Sequence, residues 1–115
     1  MRAASPNGSR GLFYAMSTHR YLVLPQSYEA IYSFYYHVAL KYRHTYSEEL
    51  MLQNIDEAVD AFYRIENGLL RRKPTLSKWQ QAGYHMANTD KWYYAYTIDG
   101  DTITIVDACH AQNMK

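Results

Sequence analysis

Between residues 91 and 110, Trp92, Tyr94, Tyr96 and Ile98 alternate with Lys91, Tyr93, Ala95 and Thr97, and a second alternating run, Thr102-Ile-Thr-Ile-Val106, follows across Asp99-Gly100. A period of two in aromatic and β-branched residues predicts two strands, and the Asp-Gly pair predicts a tight turn with both residues at its centre. That turn sets Ile98 opposite Asp101, Tyr96 opposite Ile103, Tyr94 opposite Ile105 and Trp92 opposite Asp107. One face of the hairpin is then apolar. The other carries Lys91, Tyr93, Ala95, Thr97, Thr102, Thr104, Val106, Ala108 and His110, and is the face expected to meet a partner.

Upstream the period changes. Residues 20–24 read as a short strand ended by Pro25, which cannot donate to a ladder. Ser27 is placed to cap a helix starting near Tyr28, where Ile31, Phe34, Tyr35, Val38 and Tyr42 recur at helical spacing to about Arg43. Ser47, followed by Glu48 and Glu49, opens a second helix in which Met51, Ile55, Ala58, Phe62, Ile65 and Leu69 step by four and three. Asn67-Gly68 is its expected stop. Such a seam is core in most proteins, and a short connection makes the two helices an antiparallel hairpin. Residues 69–81 hold the one basic run, Arg71-Arg72-Lys73-Pro74, read as a loop, and residues 82–88 form a further strand. The order predicts an α+β fold: an N-terminal strand, a helical hairpin, then a three-strand antiparallel meander packed on the helices. Residues 1–19 are expected to be a poorly ordered leader to a single domain over residues 20–115.

Composition narrows the classes. With 13 tyrosines against 3 phenylalanines, much of the apolar surface must also satisfy hydroxyl groups, which suits both a small core and a recognition surface. The formal charge of +1 writes no long-range attraction to nucleic acid into the chain as a whole, so any basic site is local. Cys109, the one cysteine, cannot close an internal disulfide or build a thiolate metal site, which fits the reducing cytoplasm. The apolar stretch at residues 11–16 is too short for a membrane span or a signal-peptide core. No cofactor, metal site or membrane association is expected.

The strand from Trp92 to Tyr96, the Asp-Gly turn and the run from Ile103 to His110, preceded by a strand and a helical hairpin, resemble the RelE/ParE family of bacterial toxins from type II toxin–antitoxin systems. The resemblance covers residues 21–113. It implies a cytoplasmic toxin neutralised by a cognate antitoxin protein, acting either as a ribosome-dependent mRNA endoribonuclease or as a DNA gyrase poison. A catalytically silent partner-binding member is the third reading. In the nuclease branch this strand commonly reads Arg-Ile-x-Tyr. With its tyrosine on Tyr96, Tyr93 stands where the arginine belongs, and only Ala-Gln-Asn-Met-Lys follows His110 in place of a basic and aromatic tail.

Cleavage of RNA by its 2′-hydroxyl needs a base, an acid and positive charge on the phosphate. His110 and His85 are the candidate acid–base groups, since histidine exchanges protons near neutral pH. Lys91, expected diagonally across from His110, and Arg71, Arg72 and Lys73 are candidate substrate-binding cations. Tyr93 and Trp79 are candidate base-stacking rings, although a lone tryptophan under a loop is more often a core anchor. Asp107 is expected on the apolar face beside Trp92. His37 and His44 lie on or at the end of the first helix and do not form a close ligand pair.

Overall fold

The computed structural model describes residues 19–114, so the leader expected over residues 1–19 lies, up to residue 18, outside the described residues. The elements are β1 (Arg20–Val23), α1 (Pro25–Lys41), α2 (Glu48–Asp60), a 3₁₀ turn (Ala61–Arg64), β2 (Leu70–Arg72), α3 (Ser77–Ala82), β3 (His85–Asn88), β4 (Trp92–Asp99), β5 (Thr102–His110) and a second 3₁₀ turn (Ala111–Asn113). Three helices and one open mixed sheet make this an α+β fold. The sheet has five strands in the order β1-β5-β4-β3-β2. Only β1 and β5 run parallel, a pairing made possible by the long helical excursion between β1 and the rest of the sheet.

Strand and helix meet at a single proline. Pro25 ends β1 and opens α1, because a first helical residue needs no N–H and its fixed φ suits the helix, while Leu24 before it is held extended. Ser27 is therefore inside the helix and not its cap. Its hydroxyl is fully buried and donates to the Ile105 carbonyl at 3.2 Å, tying the first turn of α1 to β5. Ser47 does cap α2, accepting from the Leu50 amide at 3.1 Å. Ser47→Ala is expected to cost about 1 kcal/mol of stability, read as a fall in the urea midpoint at unchanged m-value. The seam of α2 is core as expected, with Ile55, Ala58, Phe62 and Ile65 buried. The α-helix itself stops at Asp60, however, and the backbone tightens to 3₁₀ spacing, which still turns Phe62 and Ile65 inward.

The stretch read as a loop between residues 69 and 81 contains two elements. Leu70–Arg72 adds an edge strand to β3 with Arg71 opposite Ala87, and Ser77–Ala82 forms α3, ended by Gly83 at φ +75°. The last strand before the hairpin thus starts at His85, not Ala82.

The hairpin turn sits one residue later than the sequence implies. Gly100, at φ +60°, takes the first central position and Asp101 the second, so Asp99 pairs with Thr102. Each pairing near the turn moves by two residues, which leaves the faces intact: Ile98 lies opposite Ile103 and Tyr96 opposite Ile105. Further out, Ala95 pairs with Asp107, so Val106 is an extra residue on β5. Beyond this bulge every β5 side chain changes face. Ala108 and His110 join Tyr94 and Trp92 beneath the helices, while Asp107 turns to the opposite face. The expected placements of His110 and Asp107 are both reversed for this reason.

The face expected to lie open is half covered. Leu76 and Trp79 of the α3 segment close over Met86, Ala95 and Val106 in a second core, against which Tyr93 packs half-buried. Trp79, 1% exposed, donates its indole N–H to Asp107 at 2.9 Å, and Lys78 reaches the same carboxylate at 3.3 Å. On the helix side the larger core gathers Ile31, Tyr35, Phe62, Tyr94 and Ile105. Its polar groups are paired internally: the Tyr94 hydroxyl donates to the Ala58 carbonyl at 2.6 Å and the Trp92 indole to the Tyr35 hydroxyl at 3.0 Å. No helix among the described residues is long and apolar enough to cross a membrane.

Candidate functional site

Most of the residues named from sequence divide between two places on the helix-side face of the sheet, while Tyr93 and Trp79 belong to the second core on the opposite face. The first is an edge groove of about 720 Å³ between β2, the loop that follows it, and the middle of β4. Register builds it. His85 pairs with Tyr96, so both side chains project to one side, and their rings stack at 5.3 Å. Arg71, opposite Ala87, projects to the same side, and its guanidinium lies beside the Tyr96 hydroxyl. Burial pushes the Tyr96 phenol above its ordinary range while Arg71 opposes the shift, leaving a protonated hydroxyl that can donate to an anion. Lys73 stands on the rim. Arg72 also borders the groove, but its Nε is turned to the other face and donates to Asn88 at 3.2 Å.

The second place is a pocket of about 660 Å³ between the C-terminal half of α1 and the end of β5, and it holds His110 and Lys91. His110 stacks on Phe34 of α1 at 3.9 Å and 9°, with Trp92 edge-on at 5.2 Å. Its Nδ1 accepts the Gln112 amide at 3.2 Å, capping the final 3₁₀ turn, so the neutral ring carries its proton on Nε2. His110 and His85 stand level with Trp92 and Tyr96, four residues apart along β4 and two strands apart across it. At a rise of about 3.3 Å per residue and a strand spacing of about 4.8 Å, they are about 16 Å apart. They cannot serve one phosphate as an acid–base pair.

No protein-family model matches this chain, and neither a curated protein nor a solved structure matches it. The chemistry of the two sites therefore rests on their own residues. Among the described residues no cluster of His, Cys, Asp and Glu is arranged to hold a metal ion.

Sequence reasoning missed three contributors. Tyr96 stands on the apolar face by its alternation, yet with Arg71 and His85 its hydroxyl end completes the groove. His37 and Lys41 line the pocket beside His110. Their signal is the helical spacing Phe34, His37, Lys41, one stripe of α1, but only the bulge in β5 brings His110 against it.

His110 also supplies a pH test. Burial first, and the nearby Lys91 second, hold its pKa below the ordinary 6.5. The unfolded chain thus binds this proton at a higher pH than the folded one. The stability that His110 contributes is full above about pH 6.5 and is lost as the pH falls from there towards the folded pKa. Unfolding free energies at about pH 7.5 and pH 5 are expected to differ more for the wild type than for His110→Asn, which keeps a capping side chain but does not titrate.

Proposed function

We propose that this chain is a RelE/ParE-type toxin that cleaves mRNA at the edge groove, with His85, Arg71, Tyr96 and Lys73 as its working residues. The observation that carries the reading is the cluster at Tyr96. In the nuclease branch of the family the tyrosine aligned on Tyr96 is accompanied by an arginine from its own strand. Here that position is Tyr93, whose ring packs with the second core, and the cation beside the Tyr96 hydroxyl is Arg71 from β2. The element order, a strand and helical hairpin followed by antiparallel strands, supports the same reading.

The groove has the parts that 2′-hydroxyl attack requires. His85 takes the proton of the 2′-hydroxyl as its oxygen bonds to phosphorus and the bond to the 5′-oxygen breaks. Arg71 and Lys73 neutralise the charge gathering on the phosphate, and the Tyr96 hydroxyl donates to a phosphate oxygen. The proton on His85 returns to the departing 5′-oxygen. His110 has no part in this step, being about 16 Å away. The partners of this reading are a cognate antitoxin, mRNA and the ribosome, in the cytoplasm.

A second reading, a ParE-like toxin that binds gyrase without cutting RNA, and a third, a silent partner-binding member, draw on the outer stripe of α1. There Tyr32, Tyr36 and Leu40 stand one turn apart and are about half exposed, an apolar strip suited to a protein partner. Induced expression in a bacterium with pulse labelling separates the three. Protein synthesis stops first under the nuclease reading and DNA synthesis stops first under the gyrase reading. Growth is unaffected under the silent one.

A further inference from the structure

The pocket at the end of β5 is left unused by the reading above, and its lining is unusual in charge. It holds Lys41, Lys91, His37 and His110 and no aspartate or glutamate. Glu57 and Asp90 line an adjoining cleft, which shares Tyr35, Asn54 and Lys91 with this pocket. Among the described residues neither Lys41 nor Lys91 makes an ion pair, so both ammonium groups are open to a ligand at the pocket. Such a site draws an anion.

The polar groups are also held in place. The Ser33 carbonyl can only accept, so the bond of 2.7 Å from His37 fixes a proton on its Nδ1. The Gln112 amide can only donate, so neutral His110 keeps its proton on Nε2. Stacking on Phe34 fixes the plane of that ring. His110 therefore offers one oriented N–H, and the backbone beside it is anchored by the Ala111 amide donating to the Lys91 carbonyl at 2.8 Å. One oriented donor with two mobile ammonium groups matches the oxygens of a phosphate.

Two features ask for more than phosphate alone. The volume of about 660 Å³ lies within the range of about 300–1,000 Å³ usual for small-molecule pockets. Tyr42, half exposed with the Lys41 ammonium 5.4 Å from its ring centre, is a platform on which a base can stack. We infer that this pocket, distinct from the edge groove, binds a phosphate-bearing nucleotide, with Lys41, Lys91 and the His110 N–H on the phosphate and Tyr42 under the base. The nucleotide is either free or the 5′-terminal residue of an RNA strand. The inference stands whether or not the groove cleaves RNA.

The test is a titration of the full-length ¹⁵N-labelled protein with adenosine monophosphate, adenosine, inorganic phosphate, and a short RNA with and without a 5′-phosphate. Adenosine monophosphate is expected to saturate and to move the amides of Lys91, Gln112 and Asn113, with adenosine and inorganic phosphate each at least tenfold weaker. A double variant, Lys41→Gln with Lys91→Gln, keeps the dispersed spectrum of a folded chain and loses at least tenfold in affinity. Tyr42→Ala weakens adenosine monophosphate but not inorganic phosphate. Tighter binding of the 5′-phosphorylated RNA than of the mononucleotide identifies the RNA end as the source, and the reverse identifies the free nucleotide. His85→Ala keeps the binding, which separates this site from the groove. The inference is overturned if no probe saturates, if the lysine variant binds as the wild type does, or if the moving amides lie around His85.

Discussion

Replacing His85 with alanine is expected to slow message cleavage by about 10²–10⁴-fold, the range over which a positioned general base contributes. The size follows from the groove, where His85 is the one proton acceptor on the phosphate side: Arg71 and Lys73 are cations, and burial keeps the Tyr96 hydroxyl protonated. Folding should survive the change, because the His85 side chain is exposed and gives up only its stack on Tyr96. Single-turnover cutting of a message on stalled ribosomes measures the rate, with His44→Ala, in the exposed turn after α1, as a control expected to cut at the wild-type rate. A His85→Ala protein that is folded and cuts within a few-fold of wild type would remove the histidine from the chemistry.

Trp79→Ala is expected to cost about 3–5 kcal/mol, enough to leave a domain of this size marginal. Two losses combine. The indole fills the centre of the second core between Leu76, Met86, Ala95 and Val106, and its N–H is a partner of the Asp107 carboxylate. Trp79→Phe restores most of the volume but not the donor, and is expected to cost about 1–2 kcal/mol. Urea unfolding of the three proteins measures both steps. Equal losses for alanine and phenylalanine would mean that the hydrogen bond, not the packing, holds α3 to the sheet.

Much of the architecture was legible because it follows from period. The stepping of Ile55, Ala58, Phe62 and Ile65 marks the buried seam of the helical hairpin, and the alternation through Tyr94 and Tyr96 marks the covered face of the sheet. What could not be read is local and depends on tertiary partners. A three-residue edge strand and a six-residue helix are too short for a period, so β2 and α3 passed as loop. The same brevity hid the groove, since Arg71 reaches Tyr96 only through the pairing of β2 with β3 and of β3 with β4. The bulge at Val106 leaves no mark in an alternating pattern, yet it moves His110 from the open face to the helix side, against Phe34 of α1. The expected partnership with His85 fails for a separate reason: the two histidines share that face but stand four residues apart along β4 and on the two strands that flank it.

The most direct measurement is the chemistry of the cut ends. Purified protein is added to a reconstituted translation reaction and the message fragments are mapped and their termini assayed. Attack by the 2′-hydroxyl predicts upstream fragments ending in a 2′,3′-cyclic phosphate and downstream fragments beginning with a 5′-hydroxyl, both absent with His85→Ala and with Arg71→Ala. Messages left intact by the folded wild-type protein, or fragments ending in a 3′-hydroxyl and a 5′-phosphate, would contradict it.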